Sequence, residues 1–341
     1  MAEATRPMEL KVIVGPGCSL SLRDDIESKI ASLMDRPWQL TACTRTDFAD
    51  GEKLMQIMEN VRGADVYIVQ STNPPADNQD MLLQMLQAAA LANASSVTAV
   101  LPYMGGLRQD AKDRPRIPIT AALHAQQIET AMVASPQRHV MILHPHFTQV
   151  QGFFRIPTDL LYPTDFFIKA LSELTNNDYS NVVPVAPDAG AAKLALHYRK
   201  RLKTESYAVG DKRRTKTDTT EMHGVLGDVK GKIAVAYDDL IDTAGSMKAL
   251  VVKLFELGAE KVYAFATHGV LAGDAIQNLK DSGIDQVFIT DSIRHEHGKL
   301  PAEFITVVHV GELFGEAIWR NHTQGSIHAI DGMFNLKTSK S

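Results

Sequence analysis

Short, nearly continuous apolar runs alternate along this chain with longer stretches whose apolar positions recur at helical spacing. The runs Leu10–Val14, Asp65–Val69, Val97–Leu101 and Val140–Leu143 predict strands, and the patterns at Asp80–Asn93 and Ile119–Met132 predict helices between them. A second series of strands is expected at Val182–Val185, Ser206–Val209, Ile233–Tyr237, Val262–Ala266, Val287–Ile289 and Ile305–Val308. Apolar strands alternating with helices predict an α/β fold of two tandem units, each with a mostly parallel sheet flanked by helices. The rhythm breaks at Ile156–Thr164, where two prolines and a polar turn intervene. The expected domains are therefore residues 8–160 and 161–311, followed by an amphipathic closing helix and tail over 312–341.

Composition narrows the class. A chain of 341 residues that is 45% hydrophobic and 22% charged is long enough for two globular cores. A formal net charge of -5 argues against nucleic acid as the main partner. The two cysteines, Cys18 and Cys43, make no disulfide framework, and no signal-peptide core or membrane-length apolar run is visible. A cytoplasmic protein without a membrane partner is expected.

The most informative stretch is Val235–Ser246, which reads as the end of a strand, an acidic loop over Asp238–Gly245, and a helix beginning at Ser246. Backbone N–H groups at a helix start favour an anion, and Ala244, Gly245 and Ser246 are small enough to admit one closely. Thr243 and Ser246 add hydroxyl donors. Asp238 and Asp239 would repel a bare phosphate but accept hydrogen bonds from sugar hydroxyls, so the combination points to a phosphorylated sugar. The plainer alternative is a strand-to-helix turn capped by Asp242 or Thr243.

Other candidates are weaker alone. Phe48, Asp50 and Glu52 alternate on an expected extended stretch, where an adenine could stack on the ring and donate to a carboxylate. Arg108 and Gln109 follow a strand and a glycine pair, a place for nucleotide phosphates. In an extended chain His144 and His146 would point the same way and could share a metal or phosphate. Asp188 opens a helix, where it could hold magnesium or a ribose hydroxyl or serve only as a cap, and Lys193 could meet phosphate charge. The basic run Arg199–Lys216 reads as a solvated face and a flexible loop, with too few aromatics for an RNA surface.

Together these motifs resemble the ribose-phosphate pyrophosphokinase family. The stretch Asp238–Ser246 is similar to its phosphoribosyl diphosphate loop, Phe48–Glu52 to its Phe-Ser-Asp-Gly-Glu segment, and Asn60–Asn73 and Leu101–Asp110 to its first-domain core. His144–Phe154, Pro187–Lys193 and Asp211–Arg214 also resemble family segments, and the similarity runs from about Lys11 to Ser326. The resemblance implies two phosphoribosyltransferase-like domains and transfer of the β,γ-diphosphoryl group of ATP to ribose 5-phosphate, giving phosphoribosyl diphosphate and AMP. Phe48, Asp50, Glu52, Arg108, Gln109 and His146 would hold ATP, with Phe48 reaching a neighbouring subunit in a homo-oligomer, a hexamer built from dimers. Asp188, Asp238, Asp239, Asp242 and the run Thr243, Ala244, Gly245, Ser246 would hold the ribose phosphate. Lys212 and Arg214 would stabilise the transferring group, and His146 and Asp188 would meet Mg2+.

One departure matters. His144 stands where the family has an aspartate, and an imidazole is a poorer magnesium ligand than a carboxylate. Ser326–Met333 also departs from the family's tail, where the resemblance would place a phosphate or ADP effector site with Arg62 and Arg116. A diphosphokinase for another 5-substituted ribose, such as ADP-ribose, and a non-catalytic regulatory subunit are the alternatives. Lys212 and Arg214 argue against the latter.

Overall fold

The computed structural model describes residues 8–214, 220–296 and 298–327, with the side chains of residues 213, 214, 220 and 221 left out. The chain divides into two compact units. One comprises the chain up to Tyr162 with Ser292–Arg294 and the chain from Val310, and the other comprises Pro163–Asp291 with His295–His309.

The first unit begins with β1 (Leu10–Val14), α1 (Leu20–Met34) and a hairpin of β2 (Cys43–Asp47) and β3 (Lys53–Ile57). It continues through β4 (Asp65–Val69), α2 (Asp77–Leu91), β5 (Ser96–Leu101), α3 (Thr120–Ala131), β6 (Gln137–Leu143) and β7 (Thr158–Leu161). Its main sheet has the order β1-β4-β5-β6-β7 and is parallel throughout. Every residue of β4 and β5 is buried, which explains their unbroken apolar runs. The hairpin is a separate antiparallel pair held on α2, where Gln84 accepts from Met55 N at 2.9 Å and donates to Lys53 O at 2.8 Å. Alternating residues around Asp50-Gly51 are a hairpin signal that the apolar-run reading passes over.

The second unit holds α4 (Thr164–Thr175), β8 (Val182–Ala186), α5 (Ala192–Leu202), β9 (Ala208–Arg214) and β10 (Thr220–Leu226). After these come β11 (Ile233–Ile241), α6 (Gly245–Glu256), β12 (Lys261–Gly269), α7 (Ala275–Ser282), β13 (Gln286–Thr290) and β14 (Ile305–Val308). The sheet order is β10-β9-β8-β11-β12-β13-β14, parallel except for the β9–β10 pair. Side-chain alternation splits β11 between two cores. Ala234 and Ala236 join the aliphatic cluster of Leu250, Val251 and Leu254 from α6, while Val235 and Tyr237 join an aromatic one. There Tyr237 stacks on Tyr198 at 3.5 Å between centroids, and Phe265 on Phe288 at 4.4 Å.

The last helix, α8 (Gly311–His322), belongs to the first unit and packs on α1. A Cβ at Gly311 would lie 2.4 Å from Asp25 Cβ and one at Gly315 2.8 Å from Lys29 Cβ, so this close approach requires glycine.

In α5, His197 is buried with neither ring nitrogen hydrogen-bonded among the described residues. Burial, reinforced by the charges of Arg201 and Lys200, pushes its imidazole down to about 4. The unfolded chain therefore takes up a proton first, so stability is complete above the ordinary value of 6.5 and is lost as pH falls toward 4. Replacing His197 with Phe is expected to remove a loss on the order of 3 kcal/mol across that window. Denaturant midpoints at neutral and acid pH measure it, and an unchanged acid limb would contradict this role.

Candidate active site

The candidate residues of the second unit gather at the carboxyl end of β11. The strand runs on to Ile241 beside β12, pairing Asp238 with Ala266 and Leu240 with His268. Asp238 and Asp239 are thus strand residues and not part of the expected loop, because strand pairing continues past the apolar run. Asp239 N donates to Asp238 Oδ1 at 2.9 Å. Burial, then the Asp239 charge and its side-chain hydrogen bond, and also Asp188, push the Asp238 carboxyl well above its ordinary range, against the opposing pull of the Asp239 backbone N–H.

Only Asp242, Thr243 and Ala244 connect β11 to α6. Their backbone is fixed from outside: Ala272 N donates to Asp242 O at 3.1 Å, and Asn278 Nδ2 to Thr243 O at 3.0 Å. Ala244 sits at φ +60° in the left-handed region, which costs an alanine about 1 kcal/mol and turns the chain sharply into the helix. Ala244, at the N-cap, has no side chain that could cap α6. Thr243, Gly245 and Ser246 are exposed, and a Cβ at Gly245 would meet nothing within 4 Å. The first N–H groups of α6 therefore face open space, an arrangement suited to an anion.

Asp188 fulfils the plainer expectation, since its Oδ1 accepts from Gly190 N at 2.9 Å and Ala191 N at 3.3 Å ahead of α5. Its other oxygen lies 4.0 Å from Lys212 Nζ. Asp188, Lys212, Asp238 and Asp239 are thus brought together, and Lys193 is exposed on α5. The segment Asp211–Arg214, expected to belong to a flexible loop, is strand, with Lys212 opposite Met222 and Arg214 opposite Thr220. The Arg214 side chain and the loop interior at 215–219 lie outside the described residues.

In the first unit, Arg108 and His146 follow the carboxyl ends of the adjacent strands β5 and β6, and both are exposed. Gln109 is anchored beside α3, accepting from Thr120 Oγ1 at its side chain and from Ala121 N at 3.3 Å at its carbonyl. His144 and His146 do not point the same way. His144 takes φ +34°, buries its ring edge-on to Tyr162 at 5.1 Å and leaves His146 in solvent, so the paired-ligand expectation fails on backbone geometry. Phe48–Glu52 is likewise no extended stretch. Phe48 N donates to Glu52 O at 2.9 Å and Glu52 N to Asp50 Oδ1 at 3.0 Å, making a tight hairpin tip on which all three candidates are exposed.

Fold and site together define a two-unit α/β protein with paired carboxylates and an exposed helix start at the carboxyl edge of one sheet, and Arg108, Gln109 and His146 beyond the carboxyl edge of the other. Residues 18–131 match the N-terminal domain of ribose phosphate pyrophosphokinase, and residues 213–330 match a phosphoribosyl synthetase-associated domain. The ribose-phosphate pyrophosphokinase of Chlorobaculum tepidum is 40% identical over 303 residues, covering 89% of this chain and 90% of that protein. That of Thermotoga maritima is 38% identical, covering 92% and 95%. The crystal structure of phosphoribosylpyrophosphate synthetase from Mycobacterium smegmatis superposes with a TM-score of 0.80 at 31% identity, covering 93% of this chain and all of that one. The chain belongs to the ribose-phosphate pyrophosphokinase family.

The raised proton affinity of Asp238 means that its ionised form is penalised in the folded protein. Stability on this account is lost as pH rises past the ordinary aspartate value of 3.8. Asp238→Asn is expected to raise the ligand-free melting temperature by roughly 2–4 °C at neutral pH, an advantage that vanishes in strong acid. Calorimetry showing no rise would contradict the like-charge account.

Proposed function

We propose that the chain transfers the β,γ-diphosphoryl group of ATP to the anomeric hydroxyl of ribose 5-phosphate, giving phosphoribosyl diphosphate and AMP. The observation that carries this reading is the join of β11 and α6, where two strand carboxylates are followed a few residues later by an exposed helix start whose N-cap is an alanine. Sugar hydroxyls donate to Asp238, Asp239 and Asp242, and the 5-phosphate takes the N–H groups and hydroxyls of Thr243–Ser246. The anomeric oxygen bonds to the β-phosphorus, and the bond from that phosphorus to the α,β-bridging oxygen breaks, the oxygen leaving with the electron pair on AMP. Asp238, with its raised proton affinity, is suited to accept the hydroxyl proton.

Charge on the non-bridging oxygens is met by Lys212, drawn from Asp188 toward the phosphates, and by Arg214. Arg108, Gln109 and His146 hold ATP phosphates, and the Phe48 ring with Asp50 and Glu52 takes a nucleotide base. The carboxylate oxygens of Asp188, Asp238 and Asp239 are the donor type that a hard divalent cation prefers to the imidazole of His146. Mg2+ bound with ATP supplies charge neutralisation at the phosphates. Self-association, up to a hexamer built from dimers, is supported by the exposed Phe48, Leu54 and Met58 of the hairpin. No helix among the described residues is long and apolar enough to cross a membrane, and a cytoplasmic location completes the proposal.

With Mg-ATP, AMP is expected to form with ribose 5-phosphate as acceptor. AMP with ADP-ribose alone would replace the acceptor, and none with either would favour a regulatory subunit. Lys212→Ala is expected to lower kcat by about 10²- to 10³-fold with little change in substrate binding; an unchanged kcat would remove Lys212 from the mechanism.

A further inference from the structure

The first unit has a cavity of about 460 Å³ at the amino ends of its strands, lined by Ser96, Arg138, His139, Arg155, Asn321 and His322 among others. Asp65, Ser96 and Gln137 begin β4, β5 and β6, whereas Arg108 and His146 follow the opposite ends of β5 and β6. The cavity is therefore on the edge of the sheet away from the candidate nucleotide residues. It also includes neither Arg62 nor Arg116.

Its polar groups form a built network. His322 Nδ1 donates to Asp65 Oδ2 at 2.8 Å, and Ser96 Oγ donates to Asp65 Oδ1. Tyr67 OH lies 2.7 Å from Asn321 Oδ1 and 3.1 Å from Asp65 Oδ2. His139 Nε2 pairs with Asp159 at 2.8 Å, and its Nδ1 lies 3.4 Å from Asn321 Nδ2. Both acids are thus engaged by neighbours, and Glu129 accepts from the Arg155 backbone N–H. The Arg138 and Arg155 guanidiniums, by contrast, have no ion-pair partner among the described residues. Two guanidiniums beside acids already hydrogen-bonded to neighbours make a cavity that favours an oxyanion, for which their forked donors are well shaped.

We infer that this cavity binds the phosphate group of a small molecule through Arg138 and Arg155, separately from the reaction. Its volume exceeds what inorganic phosphate fills, and Asn321 and Gln137 offer amide groups to the remainder of a phosphate ester. The test is calorimetric titration of inorganic phosphate into the full chain carrying Ser246→Asp, which blocks the acceptor loop by like charge. Binding is expected to persist there and to weaken at least about tenfold when Arg138→Gln and Arg155→Gln are added. Matching melting curves establish that the added substitutions leave the fold intact. Displacement of phosphate by AMP in the Ser246→Asp protein would identify a phosphate ester as ligand, and its absence would identify inorganic phosphate. Isotherms that are the same with and without the two arginine substitutions, or no phosphate binding in the Ser246→Asp protein, would overturn the inference.

Discussion

Asp238 and Asp239 sit side by side on one strand, and their repulsion is the constraint on which the second unit is organised. β11 lies between β8 and β12, with Ala234, Ala236, Val235 and Tyr237 buried to either side. That packing holds the backbone firmly enough to keep two like charges adjacent, which a flexible loop would separate. The Asp239 N–H offsets part of the repulsion, while burial first and the remaining repulsion second raise the proton affinity of Asp238. A substrate that brings hydroxyl donors relieves this penalty, so the cost to the empty protein becomes affinity for the right ligand.

The next residues reverse the electrostatics over a short distance. Ala244 in the left-handed region turns the chain into α6 without a capping side chain of its own, and Gly245 leaves the approach open. Negative charge ends where the helix begins, so a ligand with hydroxyls at one end and phosphate at the other can bind in one orientation. Lys212, resting 4.0 Å from Asp188, adds a mobile positive charge beside these fixed dipoles. The account divides the labour accordingly: strand carboxylates orient, helix N–H groups anchor, and the lysine answers charge that develops during transfer.

Much of this was legible in the residues. Strands such as Leu10–Val14 and Asp65–Val69 were marked by apolar runs because parallel strands are covered on both faces. The strand, connection and helix over Val235–Ser246 were readable because an apolar run gives way there to acids, hydroxyls and small residues before helical spacing resumes. What escaped had weaker local signals. The β2–β3 hairpin is exposed over most of β2, so it lacks the apolar pattern, and only Asp50-Gly51 marks its turn. β11 outruns its apolar segment because pairing with β12, not hydrophobicity, extends it through Asp239. The His144–His146 expectation failed because alternation holds only for extended backbone, and His144 takes a positive φ. The return of α8 to the first unit depends on Gly311 and Gly315 meeting α1, a contact across nearly the whole chain.

The central claim is that the acidic strand end and helix start hold a sugar phosphate whose anomeric oxygen is the nucleophile. Its most direct measurement uses ribose 5-phosphate labelled with heavy oxygen at the anomeric hydroxyl, turned over with Mg-ATP and analysed by mass spectrometry and phosphorus NMR. The account predicts that the label remains in the bridge between the anomeric carbon and the transferred diphosphate, with none in AMP. Release of the label to water, or its appearance in AMP, would mean that the bond between the anomeric carbon and its oxygen is cleaved, and would contradict the account.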